Sequence, residues 1–371
     1  MTTEIRLMRN EELGAVESIY AKVFGDQALD YWRRRFEWQF RTNPATFFRP
    51  SQFWVGMRGE TVVGFVASFP ARLKVLDTEL IVLCPCDLMV SPDARGEGLG
   101  ERLVRAYIKE AGRLAIALTY SPANARLHNR LGYHLVFAEP TFRRPLRGSR
   151  VVRSIAKRWF ARTPPLNRVL RLFTPVLGGA GEGMIAMMNL IRSPRTLGNL
   201  RVEVDPIFDT DFDQLWREAS KEIPVVFVRD ARMLQWRFRE DPITRHTVFA
   251  ARESSGVLAG YAVVCESKRH NLRVGKVMDL FCPPSRAKEV VGVLAASFLQ
   301  HFLSKGIDLI TAKGLHPSIR AELRRFMYLK APGKEPPAQF LMSRDDPLAD
   351  VVYSADKWHL SHSDGDEDFV P

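Results

Sequence analysis

The strongest constraint in this sequence is that it repeats itself, with a period near 195 residues. Trp38, Phe40, Arg41 and Pro44 recur in order as Trp236, Phe238, Arg239 and Pro242. The strand-like run 62–68, with Gly64 inside it, recurs as 258–264 with Gly260, and Asp87 and Leu88 ahead of Pro92 recur as Asp279 and Leu280 ahead of Pro284. Three matches in one order, at offsets of 198, 196 and 192, predict two halves built on one plan. Each copy continues into a helix. Leu99, Leu103, Val104, Tyr107 and Ile108 recur at helical spacing in the first, and Val290, Val291, Leu294, Phe298 and Phe302 do so in the second. Each then returns to an apolar strand, 114–120 or 307–311, and to a short helix. Strands and helices mixed in this way predict α/β (α+β) domains, over 1–145 and 201–345, with 346–371 as a terminal tail.

The charge is as unevenly spread as the repeat is regular. The chain carries a formal net charge of +12, yet residues 141–200 alone hold twelve basic residues against one acid, Glu182, so the remainder is nearly neutral. Within that stretch Val151, Ile155, Trp159 and Phe160, then Leu166, Val169, Leu170, Leu172 and Phe173, alternate with arginines, with breaks at Pro164-Pro165 and Gly178-Gly179. The pattern reads as amphipathic helices in a basic linker or insertion over 146–200. Such a segment either packs across both domains or meets an anionic membrane surface or an acidic carrier protein. Nucleic acid is the least supported partner, because the charge sits in a linker rather than on a recognition module. No secretory signal opens the chain and no apolar run reaches the roughly 18 residues needed to span a bilayer, so a cytoplasmic protein is expected, peripheral to a membrane under the second reading. Four cysteines, Cys84, Cys86, Cys265 and Cys282, form no CxxC pair and predict reduced thiols.

Chemical information concentrates in residues 87–100. A hydrophobic strand there runs into Arg95, Gly96, Glu97, Gly98, Leu99 and Gly100, which open a helix. Alternating glycines let several main-chain N–H groups approach one anion, the helix start adds partial positive charge, and Arg95 adds a cation. The arrangement suits a diphosphate. A dinucleotide-binding loop needs a third glycine where Glu101 stands, and a nucleoside triphosphate loop needs Gly-Lys-Ser/Thr, which is missing.

The run from Arg95 to Gly100 resembles the acyl-CoA signature of the GNAT superfamily of N-acyltransferases, Arg/Gln-x-x-Gly-x-Gly/Ala. The later stretch from Asn124 through His128 to Leu131, Gly132 and Tyr133 is similar to the superfamily's second signature. The resemblance covers residues 5–145 directly and 200–345 only through the repeat. It implies two tandem domains, each a mixed, mostly antiparallel splayed sheet flanked by helices. The second is degenerate, since its matching segment, Pro283, Pro284, Ser285 and Arg286, has no glycine.

The resemblance further implies acetyl-CoA or another acyl-CoA as co-substrate, no metal, and transfer to an amine by direct attack within a ternary complex. Backbone amides of Leu88, Met89 and Val90 would pair with the pantetheine arm and polarise the thioester carbonyl. Asp87 is the candidate base, although its retention as Asp279 suggests a shared structural or acceptor-orienting task. His128 stands where the family usually carries a proton-donating tyrosine, and Asn124 is placed to hydrogen-bond CoA. Cys84 and Cys86 read as packing residues, and Trp38 and Trp236 as core or interdomain ones. His359, His362 and the acids that follow have metal-capable chemistry, but an acidic end is expected to stay solvated or to reach into the cleft toward a cationic acceptor. The leading expectation is an N-acyltransferase acting on a small-molecule amine. The alternatives are a long-chain acyltransferase fed by acyl-CoA or acyl carrier protein near a membrane, and a non-catalytic acyl-CoA-binding regulator.

Overall fold

The computed structural model describes residues 3–118, 122–138, 140–148, 150, 151, 183, 187, 199–269, 271–330 and 337–365. The amphipathic stripes expected between 155 and 173, most of the basic linker and the terminal acids from Asp366 onward lie outside these residues.

The first half runs β1 (Glu4–Leu7), α1 (Leu13–Phe24), α2 (Leu29–Phe36), β2 (Gln52–Arg58), β3 (Thr61–Val75), β4 (Thr78–Val90), α3 (Leu99–Ala111), β5 (Ala115–Ala117), α4 (Pro122–Arg130), β6 (His134–Ala138) and β7 (Thr141–Pro145). The second opens with β8 (Arg201–Val204), α5 (Thr210–Ala219), β9 (Val225–Phe227), α6 (Ala231–Phe238), β10 (His246–Arg252), β11 (Leu258–Arg269) and β12 (Leu272–Phe281). It continues with α7 (Ala287–Ser304), β13 (Leu309–Lys313), α8 (Pro317–Arg325), β14 (Leu329–Lys330), β15 (Pro337–Leu341), α9 (Ala349–Val352) and β16 (Trp358–His359). The apolar stripes read from the sequence form the helix faces that pack inward: Leu99, Leu103, Val104 and Tyr107 are buried on α3, and Val290, Val291, Leu294, Phe298 and Phe302 on α7.

The architecture is mixed α/β, with open, mostly antiparallel sheets flanked by helices. β1 to β4 form an antiparallel meander, and β9 and β16 of the second half extend it beyond the end of β3. The second sheet has the order β14-β7-β13-β12-β11-β10-β8, and a third has the order β5-β15-β6. β7 from the first half therefore lies between β13 and β14 of the second, while β15 from the second lies between β5 and β6 of the first, all four pairings antiparallel. The exchange is reciprocal. Each strand is anchored by its own side chains: Phe142 of β7 is buried in the second core and Arg144 donates to the Phe326 carbonyl at 2.8 Å. Phe340 of β15 stacks on Trp358 at 4.5 Å, and Gln339 Nε2 donates to Asn129 Oδ1 at 2.5 Å.

The terminal segment is packed rather than solvated as far as it is described. Trp358 and Leu360 are buried beneath β15, and Asp364 is drawn in because buried Arg229 needs its charge, with Nη2 to Oδ2 at 2.6 Å. Among the described residues no helix is long and apolar enough to cross a membrane.

Candidate active site

The loop after β4 makes one short turn at Pro92–Ala94 and then reaches Gly96 and Gly98, with φ of 86° and 73°. Both angles are left-handed, which explains why glycine stands at each. A Cβ built on either meets no atom within 4 Å, so the loop borders open space rather than a buried crossing. Among the described residues, the amides of Gly96, Glu97 and Gly98 donate no backbone hydrogen bond. Gly98 is the N-cap of α3, so the first-turn amides of Leu99, Gly100 and Glu101 have no intrahelical acceptor either. The nearby acids face elsewhere: Glu97 pairs with Arg58, and Arg105 holds the Glu101 carboxyl below its ordinary range by hydrogen bonding from 2.8 Å. Arg95 Nε lies 3.4 Å from the Val90 carbonyl, which lays its exposed side chain back along the loop.

Below the loop, the β3–β4 register shifts so that Asp87 and Leu88 both fall opposite Val66, between the pairs Ala67 with Cys86 and Phe65 with Met89. Asp87 is left-handed at this bulge, with φ of 51°. Among the described residues β4 pairs with β3 alone, so alternate backbone groups along its other edge, where Leu88, Met89 and Val90 lie, have no sheet partner there. A small cavity in the gap between β4 and β5 is lined by Phe69, Cys84, Pro85, Ile116 and Leu118, with Asp364 and Gly365 at its side. Cys84 and Cys86 are both buried in the first core, as packing residues would be.

Two carboxylates related by the repeat are treated differently. Asp87 Oδ1 accepts from Arg35 Nη1 at 3.0 Å, and its buried Oδ2 has no hydrogen-bond partner among the described residues. Asp279 is saturated: Arg229 reaches both oxygens, at 2.9 and 3.4 Å, Tyr261 donates its hydroxyl at 2.8 Å, and the Leu280 amide donates at 3.0 Å. Burial pushes the Asp279 carboxyl up, but Arg229 and His359 overcome this and hold it well below the usual carboxylate range. Sequence reasoning missed Arg35 and Arg229, because neither lies inside a repeated motif.

In the second half the short turn Pro284–Arg286 leads straight into α7 without a glycine, and Glu222 accepts there from the Ser285 amide at 2.8 Å and from its hydroxyl at 2.7 Å.

His128 is buried on α4 against Tyr133, with ring centroids 4.8 Å apart. Burial lowers its imidazole from 6.5 to about 4, so near pH 7 it is neutral and holds no imidazolium proton to give. Asn124 lies half-buried in the first turn of the same helix. No cluster of His, Cys, Asp and Glu among the described residues has a metal-binding arrangement.

Residues 13–133 match the model of the acetyltransferase (GNAT) family. No curated protein matches the chain. Among solved structures, a probable N-acyltransferase from Enterococcus faecalis is similar at 10% identity and a TM-score of 0.58, over 92% of this chain and 72% of that one. A GCN5-related N-acetyltransferase from Anabaena variabilis aligns at 13% identity and 0.58, over 91% and 72%. N-myristoyltransferase from Saccharomyces cerevisiae, with bound myristoyl-CoA, aligns at 11% identity and 0.54, over 91% and 82%. At these identities the likeness is one of fold. Residues 13–133, the part that carries the glycine loop, the β4 bulge and α4, are thus similar to the GNAT acetyltransferase family.

Proposed function

We propose that this protein is an acyl-CoA-dependent N-acyltransferase whose working site is built by the first half, with a small-molecule amine as acceptor. The observation that carries the reading is the open run of unbonded amides from Gly96 into the first turn of α3. These groups would receive the CoA diphosphate, with Arg95 as an added cation. The unpaired edge of β4 would take the pantetheine arm, and an amide among Leu88, Met89 and Val90 would polarise the thioester carbonyl. The amine attacks that carbonyl; a C–N bond forms as the C–S bond breaks.

Asp87 Oδ2, buried and unpartnered while Arg35 steadies Oδ1, is placed to receive the amine proton. The CoA thiolate leaves without help from His128, since thiols ionise near pH 8.5 and need no imidazolium to depart. Asn124 is assigned to CoA. The saturated Asp279 and the Glu222 contact support a second half that does not bind the co-substrate. The fold likeness to an N-myristoyltransferase makes acyl length the first variable to test.

The experiment is calorimetric titration with acyl-CoA donors from acetyl to myristoyl, followed by free-thiol release over a panel of amines, with Gly98→Trp alongside. The parent is expected to bind at least one donor and to release thiol with at least one amine, and Gly98→Trp to bind at least tenfold more weakly. A parent that binds no acyl-CoA at millimolar concentration overturns the proposal. Binding without release over the whole panel would instead support a regulator.

A further inference from the structure

In the second half β12 and β13 pair directly and in parallel, with Val274 opposite Leu309 and Val277 opposite Ala312. The corresponding strands of the first half, β4 and β5, fall in different sheets. The Tyr107 hydroxyl stands between them. It donates to the Leu83 carbonyl at 2.7 Å, accepts from the Ile116 amide at 3.3 Å and lies 3.3 Å from the Ile116 carbonyl. Tyr107 is fully buried on α3, and no solvent competes for these bonds.

A single oxygen thereby satisfies backbone groups on both strands that would otherwise meet each other. Direct pairing brings strands to about 4.8 Å, with no space for a hydroxyl between facing groups. Buried main-chain groups left without partners are unfavourable, so parted strands need a bridge of this kind. In the second half the aromatic packed at the matching place is Phe302, which has no hydroxyl. Its ring lies against Gly275, within 2.6 Å of where a Cβ would stand, and Gly275 pairs with Ile310. The contrast extends along β4: Pro85 has no N–H to offer across the gap, whereas Val277 stands at the matching place in the paired strand.

We propose that the Tyr107 hydroxyl is a positioning group that keeps β4 and β5 apart, holding open the slot in which the pantetheine arm lies. The inference rests on the acyl-CoA reading above. Tyr107 is not a proton donor in the reaction: burial raises its phenol well above the ordinary value, and its hydroxyl hydrogen goes to the Leu83 carbonyl.

The test is Tyr107→Phe, which removes one oxygen and keeps the ring. Binding of acetyl-CoA is expected to weaken at least tenfold, while adenosine 3′,5′-bisphosphate, which engages the glycine loop and enters no slot, binds within twofold of the parent. By NMR, new cross-strand contacts are expected between Leu83 and Ile116. Unchanged acetyl-CoA affinity in Tyr107→Phe overturns the inference, as does an equal loss for both ligands. A variant that does not fold assigns the bond to stability alone and overturns it too. If the parent binds neither ligand, the acyl-CoA reading fails by itself, and the NMR contacts still decide whether the hydroxyl parts the strands.

Discussion

Trp38 and Trp236, 198 positions apart, stack with ring centroids at 4.9 Å, and each indole N–H donates to the main-chain carbonyl of the other, at 2.9 and 3.1 Å. The repeat thus closes on itself at its most similar motif. Arg237 lies over Trp236 at 4.7 Å and adds a cation–π contact to the seam. Because each indole satisfies a buried carbonyl of its counterpart, neither half completes this junction alone.

Trp38→Ala and Trp236→Ala are each expected to destabilise the protein by about 3 kcal/mol or more, from lost burial and a lost hydrogen bond to the facing carbonyl. The double variant should lose less than the two single losses together, by at least about 1 kcal/mol, since the contact is shared. Urea unfolding of the three variants measures this, and strict additivity would show that the stack carries no energy of its own.

A fragment of residues 1–151 lacks β15 and leaves β5 and β6 without the strand that joins them. It is expected to show no cooperative thermal transition and no near-UV circular dichroism. Mixing it with residues 199–371 should restore both. Native-like behaviour of the isolated fragment would mean that the exchange is dispensable for folding.

Asp87→Asn keeps an oxygen for Arg35 but removes the carboxylate that faces the attacking amine in the proposed mechanism. Turnover should fall at least tenfold with acyl-CoA affinity unchanged. Stability should fall as well, by roughly 3 kcal/mol, because the buried Arg35 loses its counter-charge. Equal turnover in variant and parent, at a temperature where both are folded, would remove Asp87 from the chemistry.

Burial lowers both His128 and His316 from 6.5 to about 4, with the charges of His359 and Arg320 adding to the effect at His316. Between those values the unfolded chain binds protons that the native state does not. Their contribution is complete above about pH 6.5 and is lost as pH falls toward 4, by on the order of 3 kcal/mol for His128 and by less for His316, whose partial exposure lets solvent screen it. His128→Phe should flatten the dependence of stability on pH between 6.5 and 4 and leave turnover at pH 7.5 within twofold of the parent. Denaturant midpoints across that range provide the check, and an unchanged slope would contradict the burial argument.

Much of this was legible in the residues themselves. The glycine loop and the absence of glycines from the segment after Asp279 are local features, each carried by a few adjacent residues whose backbone needs follow from their own chemistry: Gly96 and Gly98 adopt the left-handed angles that only glycine takes cheaply. The helical stripes of α3 and α7 were equally plain, because 3.6-residue spacing marks a buried face wherever the helix packs.

The tertiary structure alone decided which edge each strand joins. Residues 141–145 and 337–341 form strands only in the fold: ladder hydrogen bonds come from the main chain and carry almost no sequence signature, so their exchange between halves depends on packing far along the chain. The same holds for ionisable and hydroxyl groups. Asp87 and Asp279 stand in like positions of one motif, yet Arg35 leaves one oxygen of the first open while Arg229, Tyr261 and Leu280 close the second. Tyr107 reads as one more apolar position on a helix until the fold places its hydroxyl between two strands. Such roles arise from what long-range packing brings to a side chain, a quantity no local pattern contains.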